Sequence, residues 1–406
     1  MSADAAPEAK PASRNGSVEK VLTVLRMQGP CSQAVLARQT GLSKGTINNV
    51  VKKLLSESIV SLQQKNRKEA LVILGTGLGY VATVEIRSEK IKATLFDFSN
   101  ERRFDVAMAL GLSNADSSSS PGAVVQALQV LCQQAGVDIQ EISCVSLAIQ
   151  APIDRATGSI VDWATSRLPA WKDIRLAEWF TDQLGVPVIV DNDANLAALS
   201  EWTWGCGRGV EDFFYLFCSE GVGGAIILGG KIYRGGTGVA GEVGHMVLGD
   251  SGPVCFCGGR GCLHSLVSER AILAALDGSE SPQDSLAGVI EAARRGDAAC
   301  RRVLFEAGRS LGRAVANTAR VIAPSVIAIG GTLSTADELL TDSLKSAPEI
   351  LNVLSISSAT KLHLAVVSDA VTLGSVAAAL SYLTRGINAI PGWMHPVTSD
   401  DPVEIA

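Results

Sequence analysis

Apolar positions early in the chain recur every three or four residues, and then every two. Val18, Val21, Leu22 and Leu25 share one helical face before Gly29-Pro30 stops that helix. A second helix is expected over 32–39, then the turn Thr40-Gly41-Leu42, then a third helix opening at Ser43 as N-cap and running through KGTINNVVKKLLSES. After Ile59-Val60, the stretch SLQQKNRKEALVIL reads as two short strands around a basic tip. A short helix, a glycine-containing turn, a longer helix and a hairpin together make a winged helix-turn-helix. Residues 1–16, rich in Ala, Pro and Ser, read as a disordered leader.

From residue 79 the pattern changes to β-rich runs with turns near 87–89 and 99–100, a meander of three strands. A Ser-rich loop at 113–120 precedes a helix at about 121–135, and apolar strands at 142–149 and 186–190 flank a helix at 174–184. Farther on, a helix runs to about residue 204, strands follow at 213–218 and 223–228, and Gly229-Gly230 makes a hairpin. Helices are expected at about 268–276, 283–295, 297–322 and 335–347, with a buried strand at 326–329. A last strand at 361–367 leads to a helix at 369–386, in which Gly374 and Ala377 to Ala379 permit close packing. Strands interleaved with helices imply an α/β body.

The chain has 406 residues, 47% of them hydrophobic and 19% charged, enough for two or three domains with substantial cores. No apolar run approaches the roughly 20 residues that span a bilayer, and the N-terminus lacks the apolar core of a signal peptide. The expectation is a cytoplasmic protein without membrane insertion. Charge is more informative once divided. Residues 17–74 hold nine basic side chains against three acidic ones, a balance of +6 in a chain whose total is −6; because residues 1–16 balance, residues 75–406 carry −12. A basic module on an acidic body is the asymmetry of a protein that meets a polyanion at one end. The third helix would place Ser43, Lys44, Thr46, Asn48 and Asn49 toward the major groove of an operator, where Asn pairs bidentately with adenine and Lys, Ser or Thr hold phosphates or bases. Lys52, Lys53, Lys65, Arg67 and Lys68 supply counter-charge for the backbone. A three-helix protein-interaction module is the alternative.

Three of the nine cysteines stand as Cys255-x-Cys257-x4-Cys262, ten residues after His245, with glycines between them. Three thiolates and an imidazole complete a tetrahedral shell for structural zinc, leaving no open position. Packing or a disulfide is the alternative. The other cysteines, scattered singly, fit reduced and buried thiols.

Taken in order, DNDANLAALSEW at 191–202, GVGGAIILGGKIYRGGTGVAGEVGHMVL at 221–248, CFCGGRGCL at 255–263, IAIGGTLS at 327–334 and Leu373-Gly374-Ser375 resemble the ROK family of repressors, open reading frames and sugar kinases. The resemblance implies an α/β chain whose winged helix-turn-helix precedes a two-lobed, actin-like body of the sugar kinase/Hsp70 type, with a ligand cleft between lobes and zinc ordering one wall. It divides the chain into a DNA-binding domain at 17–75, a first lobe at 76–194 plus about 368–390, a second lobe at 195–367 and an irregular tail at 391–406. In sugar kinases of the family, positions matching Asn192 and Asp193 hold sugar hydroxyls, the Asp acting as general base, and those matching Glu242 and His245 border the sugar. Asp191, Asn192 and Asp193 on their own also fit a strand-to-helix turn with Asx capping.

Three departures from the family pattern bear on function. The kinases carry an Asp-x-Gly-Gly-Thr-type loop whose backbone cradles the ATP phosphates, whereas this chain reads Val84-Glu85-Ile86-Arg87-Ser88-Glu89-Lys90, without glycine and with two carboxylates facing that place. Arg167 stands where an Asn usually touches the sugar, and His264 where a Glu usually accepts from sugar hydroxyls. Both changes supply donors, which suits an anionic ligand such as a sugar phosphate or sugar acid; drift in a pocket that has lost its ligand is the alternative. The reading is a non-enzymatic regulator, a repressor of carbohydrate uptake or catabolism, binding a palindromic operator as a homodimer or tetramer and controlled by a sugar or sugar-derivative effector. The competing readings are a carbohydrate kinase with a DNA-binding appendage, and a regulator controlled by a sugar-transport protein with a vestigial pocket.

Overall fold

The computed structural model describes residues 15–28, 30–56, 59–66, 69–74, 79–87, 90–109, 120–350 and 360–383. Most of the expected leader, the Ser-rich loop, Arg67, Lys68 and the tail lie outside the described residues. The chain divides into two compact units, one of residues 1–80, 97–102 and 380–395 and one of residues 81–96, 103–379 and 396–406.

In the first unit, α1 (Asn15–Gln28) precedes β1 (Cys31–Ser32), α2 (Gln33–Thr40) and α3 (Lys44–Ser56), and the wing is β2 (Val60–Asn66) with β3 (Glu69–Leu74). The first helix starts two residues before the position expected from its apolar face, so residues 15 and 16 belong to it. Val21, Leu22 and Leu25 meet Leu36 of α2 and Ile47, Val50, Val51 and Leu54 of α3 in one core. Gly41 ends α2 at φ 68°, and Ser43 caps α3 by accepting the Thr46 N–H at 3.1 Å. The wing strands pair antiparallel and shift register between Gln64 and Asn66, and β1 closes a three-stranded sheet in the order β1-β3-β2.

The second unit is built on two five-stranded sheets. The first has the order β6-β5-β4-β7-β8 from β4 (Tyr80–Ile86), β5 (Lys90–Asp97), β6 (Arg102–Ala109), β7 (Ile142–Ile149) and β8 (Val188–Asn192), with α4 (Pro121–Ala135) and α5 (Leu176–Leu184) between its later strands. The second follows α6 (Asp193–Trp204) and has the order β11-β10-β9-β12-β13 from β9 (Phe213–Cys218), β10 (Val222–Leu228), β11 (Lys231–Tyr233), β12 (Val326–Gly330) and β13 (Lys361–Leu364). Each sheet therefore runs third, second, first, fourth, fifth in its own strand sequence, the duplicated order of the actin-like body that the motifs imply. Gly229 and Gly230, at φ 54° and 71°, make the tight β10–β11 turn that only positive φ permits. The helices α7 (His264–Val267), α8 (Glu269–Ala274), α9 (Leu286–Arg294), α10 (Ala298–Ile322) and α11 (Glu338–Lys345) belong to the second sheet's part of the chain, and α12 (Ala370–Leu383) ends the described residues.

Two expectations change in detail. The helix expected over 268–276 is the shorter α8, capped by the Ser268 hydroxyl accepting the Ala271 N–H, and the unexpected single turn α7 precedes it, ended by the extended ψ of 154° at Ser268. The last strand stops at Leu364 rather than running to 367. The N–H groups of Val366 and Val367 leave the sheet and donate to Glu201 Oε1 of α6 at 2.7 and 2.5 Å. Glu201 is wholly buried, also accepts the Cys206 N–H at 3.2 Å, and has its carboxyl pushed up by burial against the opposing effect of these bonds. The chain then turns through Asp369, which accepts from Lys92 of β5 and Arg103 of β6 at 2.6 Å each and so anchors the start of α12 beside the first sheet.

The small residues of α12 have the packing role expected of them. A Cβ on Gly374 would lie 1.7 Å from the Leu196 carbonyl oxygen, backbone that cannot swing aside. Gly374→Val should therefore destabilise the body by about 3 kcal/mol or prevent its folding, whereas Gly236→Ala, with open space around it, should stay within about 0.5 kcal/mol of wild type. Denaturant titration of the two variants checks this.

Candidate functional site

The cluster of His245 and three cysteines is assembled by backbone clips. Leu263 N–H donates to the Met246 carbonyl at 2.9 Å and Leu248 N–H to the Gly261 carbonyl at 2.9 Å, bringing the His245 segment alongside Cys262. Cys255 N–H donates to Gly259 at 2.8 Å and folds the loop that carries Cys257. Gly261 sits at φ 68°, and a Cβ there would come within 2.0 Å of the Gly249 carbonyl oxygen. His245, Cys255, Cys257 and Cys262 place one ligand atom each within 4.8 Å of all the others. A tetrahedral ion with thiolate at about 2.3 Å and imidazole at about 2.0 Å separates two sulfurs by about 3.8 Å and a sulfur from a nitrogen by about 3.6 Å. Cys257 Sγ and Cys262 Sγ are 3.8 Å apart, and Cys255 Sγ and His245 Nδ1 are 3.5 Å apart. The donor set fits a metal ion held by these four residues.

His245 uses its two nitrogens in different directions. Nδ1 faces the thiolates, while Nε2 lies 4.0 Å from Glu242 Oε2. One imidazole is thus shared by the metal cluster and the cleft beside it.

That cleft is lined by Asn192, Asp193, Glu242, His245 and His264, together with Trp163 and Phe256. Five of the six expected ligand-binding residues are brought together; the sixth, Arg167, ends a 3-10 turn, and its side chain lies outside the described residues. Asn192 is the N-cap of α6, accepting the Ala194 N–H at 2.9 Å while its amide donates to the Ala151 carbonyl at 3.1 Å, so it serves as a cap and a cleft residue at once. Asp193 is buried at the first position of α6, where the helix dipole favours a carboxylate. Burial first, then the charge of Asp193, pushes the Glu242 carboxyl up to about 7. His264 Nδ1 accepts the Val222 N–H at 3.3 Å, which puts the proton of the neutral ring on Nε2 and makes that nitrogen a donor. Trp163 and Phe256 stack at 6.2 Å, and His245 packs edge-on to each at 4.9 and 5.0 Å. This aromatic wall was not read from the sequence, because Trp163 lies far from the metal loop and Phe256 looked like a spacer between two cysteines. The space left amid these groups is about 40 Å³, room for a few waters and less than a monosaccharide needs.

Next to the cleft, at the β4–β5 turn, Glu85 is buried and paired with Arg87, whose Nε donates at 2.7 Å. Glu89 lies outside the described residues, and the carboxylate of Glu85 is engaged with the guanidinium rather than free to face a phosphate. Asp191, at the end of β8, is clamped by Arg234 and by Asn195 at 2.8 Å, two partners the motif reading did not anticipate.

On the winged helix, Lys44, Asn48, Asn49, Lys52 and Lys53 are exposed on the face of α3 opposite Ile47, Val51 and Leu54. The hydroxyls of Ser43 and Thr46 bond each other at 2.8 Å in the cap, so these two hold the start of the helix. Lys65 lies in the wing with its side chain outside the described residues.

Residues 14–61 match the winged helix-turn-helix DNA-binding model, and residues 81–379 match the ROK family model. A xylose repressor of Caldicellulosiruptor bescii is 26% identical over 372 residues, covering 86% of this chain and 92% of the repressor. The fold is that of a ROK-family transcriptional regulator, a homologue of the E. coli MLC protein, with a TM-score of 0.74 at 21% identity over 91% of this chain and 96% of that one. A ROK-family glucokinase from Streptomyces griseus, solved with glucose and AMPPNP, matches with a TM-score of 0.58 at 26% identity over 76% of this chain and 99% of the kinase. With a winged helix-turn-helix ahead of a body that matches along most of the chain, this protein belongs to the ROK family.

Proposed function

We propose that the protein is a DNA-binding repressor of carbohydrate uptake or catabolism, cytoplasmic and dimeric, with zinc in the four-residue cluster and a sugar as effector in the adjoining cleft. The observation that carries this is the pairing of an exposed, polar recognition helix with a cleft that keeps Asn192, Asp193 and Glu242 but has the Glu85–Arg87 ion pair at the turn where family kinases bind phosphates. Phosphoryl transfer depends on positioning and charge stabilisation, and a turn without glycine amides offers little of either. Among the described residues no helix is long and apolar enough to cross a membrane.

The chemistry of the cleft supports a neutral sugar. Asp193 and Glu242 stand close enough to raise one carboxyl, an environment that opposes a second anion, and the rings of Trp163 and Phe256 offer apolar faces to a pyranose. The donor at His264 Nε2 favours the second reading, a sugar phosphate or sugar acid. Calorimetry with neutral and phosphorylated sugars separates the two. Asp193→Ala should weaken the bound sugar by about tenfold to a hundredfold, and wild type should show no sugar-dependent ATP turnover in a coupled assay. Turnover that Asp193→Ala abolishes would make the protein a kinase.

The DNA reading predicts that Asn48→Ala costs about 1–3 kcal/mol in binding to an operator fragment, concentrated at one base position. Lys44→Ala should weaken binding across sequences and lower the salt dependence by about one ion. Gel shifts at two or more salt concentrations read both, and full affinity in both variants would remove α3 as the reading helix. For the metal, atomic absorption should find zinc in wild type and little in Cys257→Ser. Chelation should abolish the sugar response first while operator binding partly survives; loss of operator binding with sugar affinity intact would reverse that division.

A further inference from the structure

Arg87 stands at the end of β4 and closes the turn into β5, its own N–H donating to the Lys90 carbonyl at 3.0 Å. Its guanidinium grips Glu85 through Nε and Nη2, and extends Nη1 to Glu220 Oε1 at 3.5 Å. Glu85 lies in the first sheet, and Glu220 sits in the turn between β9 and β10 of the second. One side chain therefore joins a hairpin of each sheet. Burial opposes its charge, yet Glu85, Glu220 and Asp193 together outweigh that and hold the guanidinium above its ordinary range. The adjoining cavity of about 520 Å³ shares Glu85 and Arg87 with Ser219, Thr332 and Asp369, so there is room around the guanidinium and it is the carboxylates that hold it there.

We propose that Arg87 is a built-in cation that latches the two sheets beside the cleft through Glu220, and that the strength of this latch sets how readily the cleft closes on its ligand. Arg87 acts here through Glu220 on the geometry of the cleft, so it is a positioning residue. The ligand part of the inference rests on the sugar reading above. A ligand that requires the closed state binds with its intrinsic affinity reduced by the fraction of closed molecules. The latch raises that fraction.

The test uses the full chain and spares the buried Glu85, whose charge would be left uncompensated if Arg87 alone were removed. Glu220→Gln removes the carboxylate charge from the bridge while leaving the Glu85–Arg87 pair intact. It should increase hydrogen exchange in both hairpins, 80–97 and 213–228, and weaken the sugar that binds from a panel of D-glucose and D-xylose by about tenfold. Operator affinity without sugar should be unchanged. In an Arg87→Gln/Glu85→Gln background, where the guanidinium and its local partner are both neutralised, Glu220→Gln should have no further effect. Unchanged exchange in Glu220→Gln, or an equal effect in that background, overturns the latch even if sugars bind normally. Absence of binding heat from both sugars in wild type, with the exchange signature present, overturns the sugar reading and the latch's link to affinity while leaving the bridge in place.

Discussion

A buried carboxylate ties together the two places where the chain crosses between the sheets of the body. Glu201 sits in α6, the helix that carries the chain from the first sheet to the second, and accepts the N–H groups of Val366 and Val367 on the segment that carries it back. A buried carboxylate is costly unless its lone pairs are used, and here three backbone N–H groups use them. The bonds that satisfy Glu201 lie just past the end of β13 at Leu364, before the chain passes through Asp369 into α12. Gly205 follows from this arrangement, since a Cβ there would meet Glu201 Oε2 at 1.8 Å. The two chain crossings between the sheets are thus tied to one another at this carboxylate.

The metal cluster and the cleft are coupled in a similar way, through one ring. His245 cannot move its Nε2 relative to Glu242 without moving its Nδ1 relative to Cys255. Phe256, held between Cys255 and Cys257, and His264, two residues after Cys262, line the cleft because the loop that bears them is folded on the same centre. An ion there would fix the rotamers of the cleft wall with no contact to the ligand, the indirect role that outer groups around metal sites commonly have, exercised here in the opposite direction.

What was legible in the sequence followed from chemistry that is local in the chain. The winged helix was readable because its helices are short, amphipathic and punctuated by Gly41 and Ser43, and the structure buries the apolar face that the spacing predicts. The cysteine spacing was readable because four ligands fall within twenty residues. The strand orders of the two sheets were not read from the sequence, because strands buried on both faces carry no alternating pattern. Less legible were contacts that join distant segments. Trp163 meets Phe256 across ninety-odd residues, Arg234 clamps Asp191, and Arg87 reaches Glu220. None has a spacing that sequence could reveal. The β4–β5 turn shows the difference most clearly: read as text, Glu85 was a carboxylate opposed to phosphate, but folded it is half of an ion pair.

That ion pair also explains why retaining Asp193 says little about catalysis. A carboxylate at the start of α6 is favoured by the helix dipole, and its neighbour Asn192 is needed as a cap whatever the cleft binds. Both would persist in a protein that only binds its sugar, since orienting hydroxyls and abstracting a proton from one make the same demand on geometry. The other end of the reaction has no such second use: a loop that cradles phosphates is needed only where phosphates bind. Its position is therefore the place where binding and catalysis part, and in this chain it holds a guanidinium paired with two carboxylates.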